Sequence, residues 1–101
     1  MGKHLNLLVK ILKMREREIP ECYYITDEKH RPLAGKRTHV VYHLGHILGR
    51  APWCAGMFDY NGQPLELRNC STEKEACLAF LDLSDDDLHL KQYAPEFEKI
   101  A

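Results

Sequence analysis

Three histidines in the first half of the chain are spaced in a way that could bind a metal ion. His39, His43 and His46 lie at intervals of four and three residues, and Arg50 follows four residues later. On a helix these intervals place side chains on one face, and imidazole nitrogens are common zinc ligands. A metal-dependent enzyme is therefore one alternative, and phosphate or acidic-partner binding is another. A solvated polar helix face is the simpler interpretation, because no acidic ligand stands among the histidines.

Other catalytic patterns are missing from the sequence, so we expect neither enzyme activity nor a cofactor. The chain has no Gly-x-Ser-x-Gly motif and no Gly-rich phosphate loop. Its four cysteines form no Cys-x-x-Cys pair, so a zinc knuckle is not indicated. Alternation along a hairpin would place Cys54 and Cys70 on opposite faces, which predicts buried free thiols rather than a disulfide.

The composition is typical of one small folded domain. The chain has 101 residues, of which 45% are hydrophobic and 29% are charged; these fractions are ordinary for a globular protein. We expect a single domain over residues 1–101. No apolar segment approaches the roughly 20 residues of a membrane-spanning helix, and the first residues do not read as a signal peptide. A cytoplasmic protein without a membrane partner is therefore expected.

The charges are distributed unevenly along the chain. Residues 1–50 contain ten Lys or Arg against five Asp or Glu, whereas residues 51–101 contain four against ten. Opposite charges that meet within the fold or in a dimer would explain this asymmetry, and so would a basic surface for nucleic acid. The nucleic-acid alternative depends on Lys10, Lys13, Arg17, Lys36, Arg37 and Arg50.

Residues 3–18 are predicted to form an amphipathic helix. Apolar residues recur at the spacing of one helix face, and a second apolar stripe lies beside the first. The two stripes contain Leu5, Leu8, Val9 and Leu12, and Leu7, Ile11 and Met14. An apolar arc of this width usually packs on two surfaces, so we expect a homodimer through the N-terminal helix.

A β-hairpin followed by a capped helix is the clearest pattern in the sequence. Asn61-Gly62 between two apolar runs favours a two-residue turn. Counting outward from this turn sets Cys54 opposite Asn69. The dipeptide Ser71-Thr72 with Glu75 after it is then typical of a helix start.

A similar pattern precedes this hairpin. Residues 22–26 are rich in strand formers, residues 33–35 follow a polar turn and begin a return strand, and Thr38 could cap a helix whose apolar positions continue to Leu48. The chain would then contain a duplicated ββα unit. We therefore predict an α+β domain with a mostly antiparallel four-stranded sheet, helices packed on one face and a separate N-terminal helix.

The outward side of the second hairpin is a predicted contact surface. Alternation assigns one side to the core, with Cys54, Phe58, Tyr60, Leu65 and Leu67. The other side carries Trp53, Met57, Asp59, Glu66 and Arg68, joined by Tyr24 of the first hairpin. Exposed aromatic, Met and Arg side chains are enriched at protein interfaces. The alternative is that Trp53 covers an edge of the core.

An acidic run follows the second predicted helix. After Ser84, such a run is usually a capped helix start, but it could also imitate nucleic-acid phosphates in the basic groove of a partner. The complete set of predicted partner-binding residues is Trp53, Tyr24, Met57, Arg68, Asp85, Asp86 and Asp87.

Two segments carry a resemblance to a known kind of protein. They read Tyr60-Asn61-Gly62-Gln63-Pro64-Leu65 and Ser71-Thr72-Glu73-Lys74-Glu75-Ala76, and together with their flanks they cover about a quarter of the chain. This strand, turn, strand and capped helix resembles a pattern in small phage and mobile-element proteins, among them some anti-CRISPR proteins. The resemblance assigns no functional residue. It implies a non-catalytic binding module, of the inhibitor kind, that occupies the surface of a larger protein or nucleoprotein complex.

Overall fold

The structure is a computed structural model, and it describes residues 2–14, 23–25, 38–43, 52–59, 61 and 63–100. The strands are β1 (Tyr23–Ile25), β2 (Thr38–His43), β3 (Trp53–Phe58) and β4 (Pro64–Cys70). The helices are α1 (Lys3–Met14), α2 (Glu73–Leu83), α3 (Asp85–Leu88) and α4 (Ala94–Glu98), with a 3₁₀ turn at Lys91–Tyr93. Within these ranges, no helix combines the length and the apolar sequence that are required to span a bilayer.

The strands form one mixed sheet in the order β1-β2-β3-β4. β2, β3 and β4 are joined by antiparallel pairing, whereas the short β1 lies parallel to β2, with Tyr24 opposite Val40. The predicted α+β class is therefore confirmed. The antiparallel part of the sheet has three strands and not four, because the chain runs through β1 and β2 in the same direction.

The helix predicted to begin at Thr38 is wrong, because residues 38–43 form the strand β2. Val40 and Val41 are both completely buried. A strand that is buried on both faces reads as a continuous apolar run, which periodicity does not distinguish from a helix. β-branched residues prefer strands, and the antiparallel pairing of β2 with β3 stabilises the strand over the helix. The ββα duplication is therefore wrong as well, and residues 33–35 and 44–50 lie outside the described part of the chain.

The N-terminal helix is confirmed over its described residues, as α1. Leu5, Leu8, Ile11 and Leu12 are at most 7% exposed and belong to the main core cluster. Much of the wide apolar arc is therefore used inside the chain. Met14 is different, with 64% exposure. Residues 15–18 of the predicted helix lie outside the described part, and the homodimer through this helix stays a prediction.

The first turn of α1 is held by a carboxylate from α2. α1 has no acidic residue in its own first turn, and the Leu5 N–H donates to Glu73 Oε1 over 2.8 Å. A carboxylate at this position satisfies an amide that the helix leaves unpaired and interacts favourably with the helix dipole. Gly2 leaves room for this contact, because a Cβ there would collide with the Glu73 carboxylate.

The helix α2 covers the sheet and begins where the sequence predicted. Thr72 Oγ1 accepts the Glu75 N–H at 3.1 Å, and the Glu75 carboxylate accepts the Ser71 N–H at 3.0 Å. α2 packs against β2, β3 and β4, and both α1 and α4 pack against α2. Phe80 of α2 and Phe97 of α4 are completely buried in the core that results.

The hairpin of β3 and β4 has the predicted register but a longer turn. Cys54 lies opposite Asn69, as expected. At the turn, the Asp59 N–H donates to the Gln63 carbonyl over 2.9 Å. Asp59 Oδ1 accepts the N–H groups of Asn61 and Gln63 at 2.8 and 2.9 Å. The hairpin is therefore closed between Asp59 and Gln63, and an aspartate suits this position because its side chain can pair with backbone amides further along the chain. Positions 60 and 62 lie outside the described part.

The side of β3 that was predicted to face outward faces α2 instead, whereas the predicted core positions Cys54 and Phe58 are buried as expected. Ala55 is completely buried in the cluster that α2 forms with the sheet, and Trp53 packs against the same cluster. By alternation, Cys54 and Phe58 lie on the side away from α2, and both are buried. β3 carries apolar residues on both faces. The alternation of side chains therefore assigns residues to two faces, but it does not show which face α2 covers. The small Ala55 leaves room for the side chains of α2.

Candidate functional site

The contact residues predicted on β3 face the helices of the molecule itself. Trp53 is half-buried and packs against the core cluster. Met57 is also half-buried and lies opposite His39, a completely buried residue of β2. Trp53 and Met57 therefore do not form the outward surface that alternation predicted. Tyr24 lies in β1, and its side chain is outside the described part.

Arg68 is bound by acidic groups of its own chain. It lies opposite Ala55, on the side of the sheet that α2 covers. Its guanidinium forms ion pairs with Glu66 on the same strand and, over 2.6 Å, with Asp82 on α2. The Lys91 ammonium lies 3.2 Å from the other Asp82 oxygen. The hydrogen bond from Arg68, followed by that from Lys91, lowers the pKa of Asp82. The Arg68 side chain thus links β4 to α2 through its ion pair with Asp82.

The acidic run serves partly as local structure. The Ser84 hydroxyl does not cap α3 through the predicted hydrogen bond; it donates to the Phe80 carbonyl at 2.7 Å. Asp85 Oδ1 accepts the Lys91 N–H at 3.1 Å and so joins α3 to the 3₁₀ turn. Asp86 is exposed, as a contact residue must be. Asp87 belongs to α3, and its side chain lies outside the described part.

An exposed apolar surface lies on β4, where the sequence predicted core. Leu65 and Leu67 are each 48% exposed and alternate with Glu66 and Arg68. We name these four residues the β4 edge surface, because β4 ends the strand order of the described sheet. An edge strand presents backbone N–H and C=O groups that can pair with another chain. The β4 edge surface therefore combines apolar side chains, charges and a strand edge.

Leu67 rests on a glycine of the neighbouring strand. Gly56 lies between Leu67 of β4 and Val40 of β2 in the sheet register. A Cβ at Gly56 would lie 2.6 Å from Leu67 Cδ2 and 3.4 Å from Val40 Cγ2. Because Gly56 has no Cβ, the Leu67 side chain can pack directly against β3. Nearly half of the side chain nevertheless remains exposed. A glycine within a strand often marks such a close approach. Gly56 is therefore the feature of the sequence that could have indicated the position of Leu67.

The histidine row does not have the predicted helical geometry. His39 belongs to β2, is completely buried and lies edge-on to Phe80, with 6.3 Å between ring centroids and an interplanar angle of 75°. His43 ends the same strand, and its side chain lies outside the described part, as does all of His46. Within the described ranges, no three His, Cys, Asp or Glu side chains are grouped so that they could hold a metal ion.

The basic residues of the nucleic-acid alternative lie mostly beyond the described part. Lys10 is exposed on α1 and lines an open groove with Asn6, Val9 and Met14. Lys13 also belongs to α1, but its side chain is not among those described. The other four positions, 17, 36, 37 and 50, lie outside the described ranges. The structure therefore brings no two of these side chains together in its described part.

Three thiols lie inside the described part of the fold. Cys54, Cys70 and Cys77 are buried and are free cysteines. Burial raises the pKa of Cys77 to about 12 and also raises the pKa of Cys70. Because the thiolate is the nucleophile, a protonated buried thiol of this kind is inert. Cys77 and Cys70 therefore act as apolar core residues.

Comparison of the chain with protein-family models, with curated proteins and with solved structures found no match.

Proposed function

We propose that the protein is a non-catalytic protein-binding module that contacts its partner through the β4 edge surface. The observation that supports this proposal is the pair of leucines, Leu65 and Leu67, each 48% exposed on a strand at the end of the sheet. Neighbouring exposed apolar side chains are typical of interaction surfaces. A sheet edge can also accept a strand of a partner, which gains main-chain hydrogen bonds.

Each component of the surface has a separate role in binding. Complete burial of two leucines that are already half-buried would contribute about 2 kcal/mol. Main-chain pairing along β4 would fix the direction of the partner strand. Glu66 and Arg68 would select partners of complementary charge and disfavour others, because charges contribute to specificity more than to affinity.

We further propose that the partner is a larger protein or a nucleoprotein complex whose surface the module occupies, in the manner of a phage-type inhibitor. The resemblance of the hairpin and capped helix to small phage proteins supports this part of the proposal.

Affinity capture with a matched pair of variants tests the proposal. Leu67→Lys places a charge in the β4 edge surface, whereas Met14→Lys makes the same kind of change at a residue of α1 that is 64% exposed. We expect wild type and Met14→Lys to retain the same partner and Leu67→Lys to lose it. Circular dichroism and thermal melting of each variant verify that the fold is intact.

Three results would overturn the proposal. One is a partner that Leu67→Lys retains at wild-type affinity, because the contact would then lie elsewhere. Another is the loss of the partner in Met14→Lys alone, which would place the contact at the groove of α1. Capture of nucleic acid alone, with steep salt dependence, would replace protein binding by the nucleic-acid alternative.

A further inference from the structure

The sequence of β4 is complementary to itself. β4 runs over seven residues, Pro64–Cys70, and Leu67 is its middle residue. An antiparallel pair of two β4 strands, related by a two-fold axis at Leu67, would overlap along the whole strand. In that register Glu66 lies opposite Arg68 of the second copy, and Arg68 lies opposite the second Glu66. Leu67 lies opposite its own copy.

The neighbouring two-fold registers are unfavourable. An axis at Glu66 would place two carboxylates opposite each other, and an axis at Arg68 would do the same with two guanidinium groups. Opposite charges directly across a strand pair are stabilising, and like charges are destabilising. The charges of β4 therefore select the register that also has the longest overlap.

The side chains that this pairing requires are exposed in the folded chain. The residues of β4 from Pro64 to Leu67 are exposed, and the Arg68 and Glu66 side chains are 38% and 46% exposed. The ion pair with Asp82 holds Arg68 in place on β4. Arg68 already donates from Nε to Glu66 and from Nη1 to Asp82 of its own chain. Because a guanidinium has five N–H donors, Arg68 can bind an additional carboxylate from a second copy without losing these two.

We infer that the occupant of the β4 edge surface is a second copy of this chain, paired through antiparallel β4 strands centred on Leu67. This inference rests on the proposed use of β4 for protein binding; a second copy and a larger partner would use the same strand edge and would therefore exclude each other. The contact is isologous, as in most homodimers, and it joins the two sheets edge to edge. A single strand pair buries little area, and small interfaces are typical of weak association.

Complementary charge variants test the register directly. In a dimer of the Glu66→Lys variant, the introduced lysine would face Arg68 twice. In a dimer of the Arg68→Glu variant, the introduced glutamate would face Glu66 twice. An equimolar mixture of the two variants restores opposite charges at both positions. We expect each variant alone to self-associate at least about tenfold more weakly than wild type and the mixture to recover dimers, since two cross-strand pairs change sign.

Sedimentation equilibrium up to about 1 mM protein is the measurement, with thermal melts to verify folding. Leu67→Lys, which changes no ion pair inside the chain, is expected to weaken the dimer as well, while Met14→Lys dimerises like wild type. Failure of the mixture to associate better than either variant would overturn the inference. A dimer that is lost in Met14→Lys and kept in Leu67→Lys would overturn it too, since the contact would then be α1.

The outcomes separate this inference from the proposed function. A wild-type chain that stays monomeric, but captures another protein in a Leu67-dependent manner, would refute the second copy and leave the binding surface in place. A monomer that shows no Leu67-dependent capture would refute both.

Discussion

Asp82 forms ion pairs with two basic side chains of the described part. Its two oxygens lie 2.6 Å from Arg68 Nη1 and 3.2 Å from Lys91 Nζ, and these contacts lower its pKa. A carboxyl group whose pKa is lower in the folded state than in the unfolded state stabilises the fold above its unfolded pKa. This contribution is lost as the pH falls through the folded pKa. Because the Asp82 side chain is 41% exposed, solvent screening keeps the contribution small.

The variant Asp82→Asn is therefore expected to be less stable than wild type at about pH 7, with a difference that begins to shrink near about pH 4 and disappears only below the lowered pKa of folded Asp82. Urea denaturation of both proteins across this range measures the difference. Asp86→Asn, at an exposed position of α3, is the control, and its effect should be small throughout. A difference that stayed constant as the pH fell would show that the Asp82 charge does not stabilise the fold.

Cys77 should be chemically silent in the folded protein. Burial raises the pKa of this thiol to about 12, so almost no thiolate is present at about pH 7. We expect iodoacetamide to modify Cys77 only after denaturation, as mapped by mass spectrometry of peptides. Cys77 of the denatured chain provides the reference rate. Equal modification of the native and denatured proteins would contradict the buried position.

At the scale of elements, the start of α1 depends on α2 through a single carboxylate. Glu73 accepts the Leu5 amide at 2.8 Å, and loss of a capping side chain typically costs about 1 kcal/mol. Glu73→Ala should lower the free energy of unfolding by about this amount and speed hydrogen exchange in the first turn of α1. Glu96→Ala, exposed in the first turn of α4, is the matched control. Unchanged exchange in α1 would show that the contact is dispensable.

Sequence patterns correctly predicted those helices and strands for which the local sequence preference and the tertiary packing favour the same secondary structure. The cap at Thr72 and Glu75 is local, so α2 could be placed correctly. The partly local register of the hairpin could also be predicted. β2 could not, because Val40 and Val41 suit a buried helix as well as a strand buried on both faces. Which face of β3 is covered by α2 depends on tertiary packing and not on local sequence. For this reason, Trp53 was predicted on the outward face although it packs against the core on the side of α2.

At the scale of the whole molecule, the exposed leucines follow from the position of β4. The central strands β2 and β3 are buried on both faces, as shown by Val40 and Val41 on one strand and by Cys54 and Ala55 on the other. β4 is the last strand of the described sheet, and its leucines remain half exposed. In a central strand, an alternating apolar pattern indicates residues of the core. In β4, at the end of the sheet, the same pattern leaves exposed leucines that could contact a partner.

Amide hydrogen exchange tests this account most directly. The free protein is compared with the complex that it forms, whether with a second copy at high concentration or with a captured partner. We predict slower exchange over residues 64–70 of β4 in the complex and unchanged exchange over residues 3–14 of α1. Slower exchange in α1, with β4 unchanged, would contradict the β4 edge surface as the site of binding.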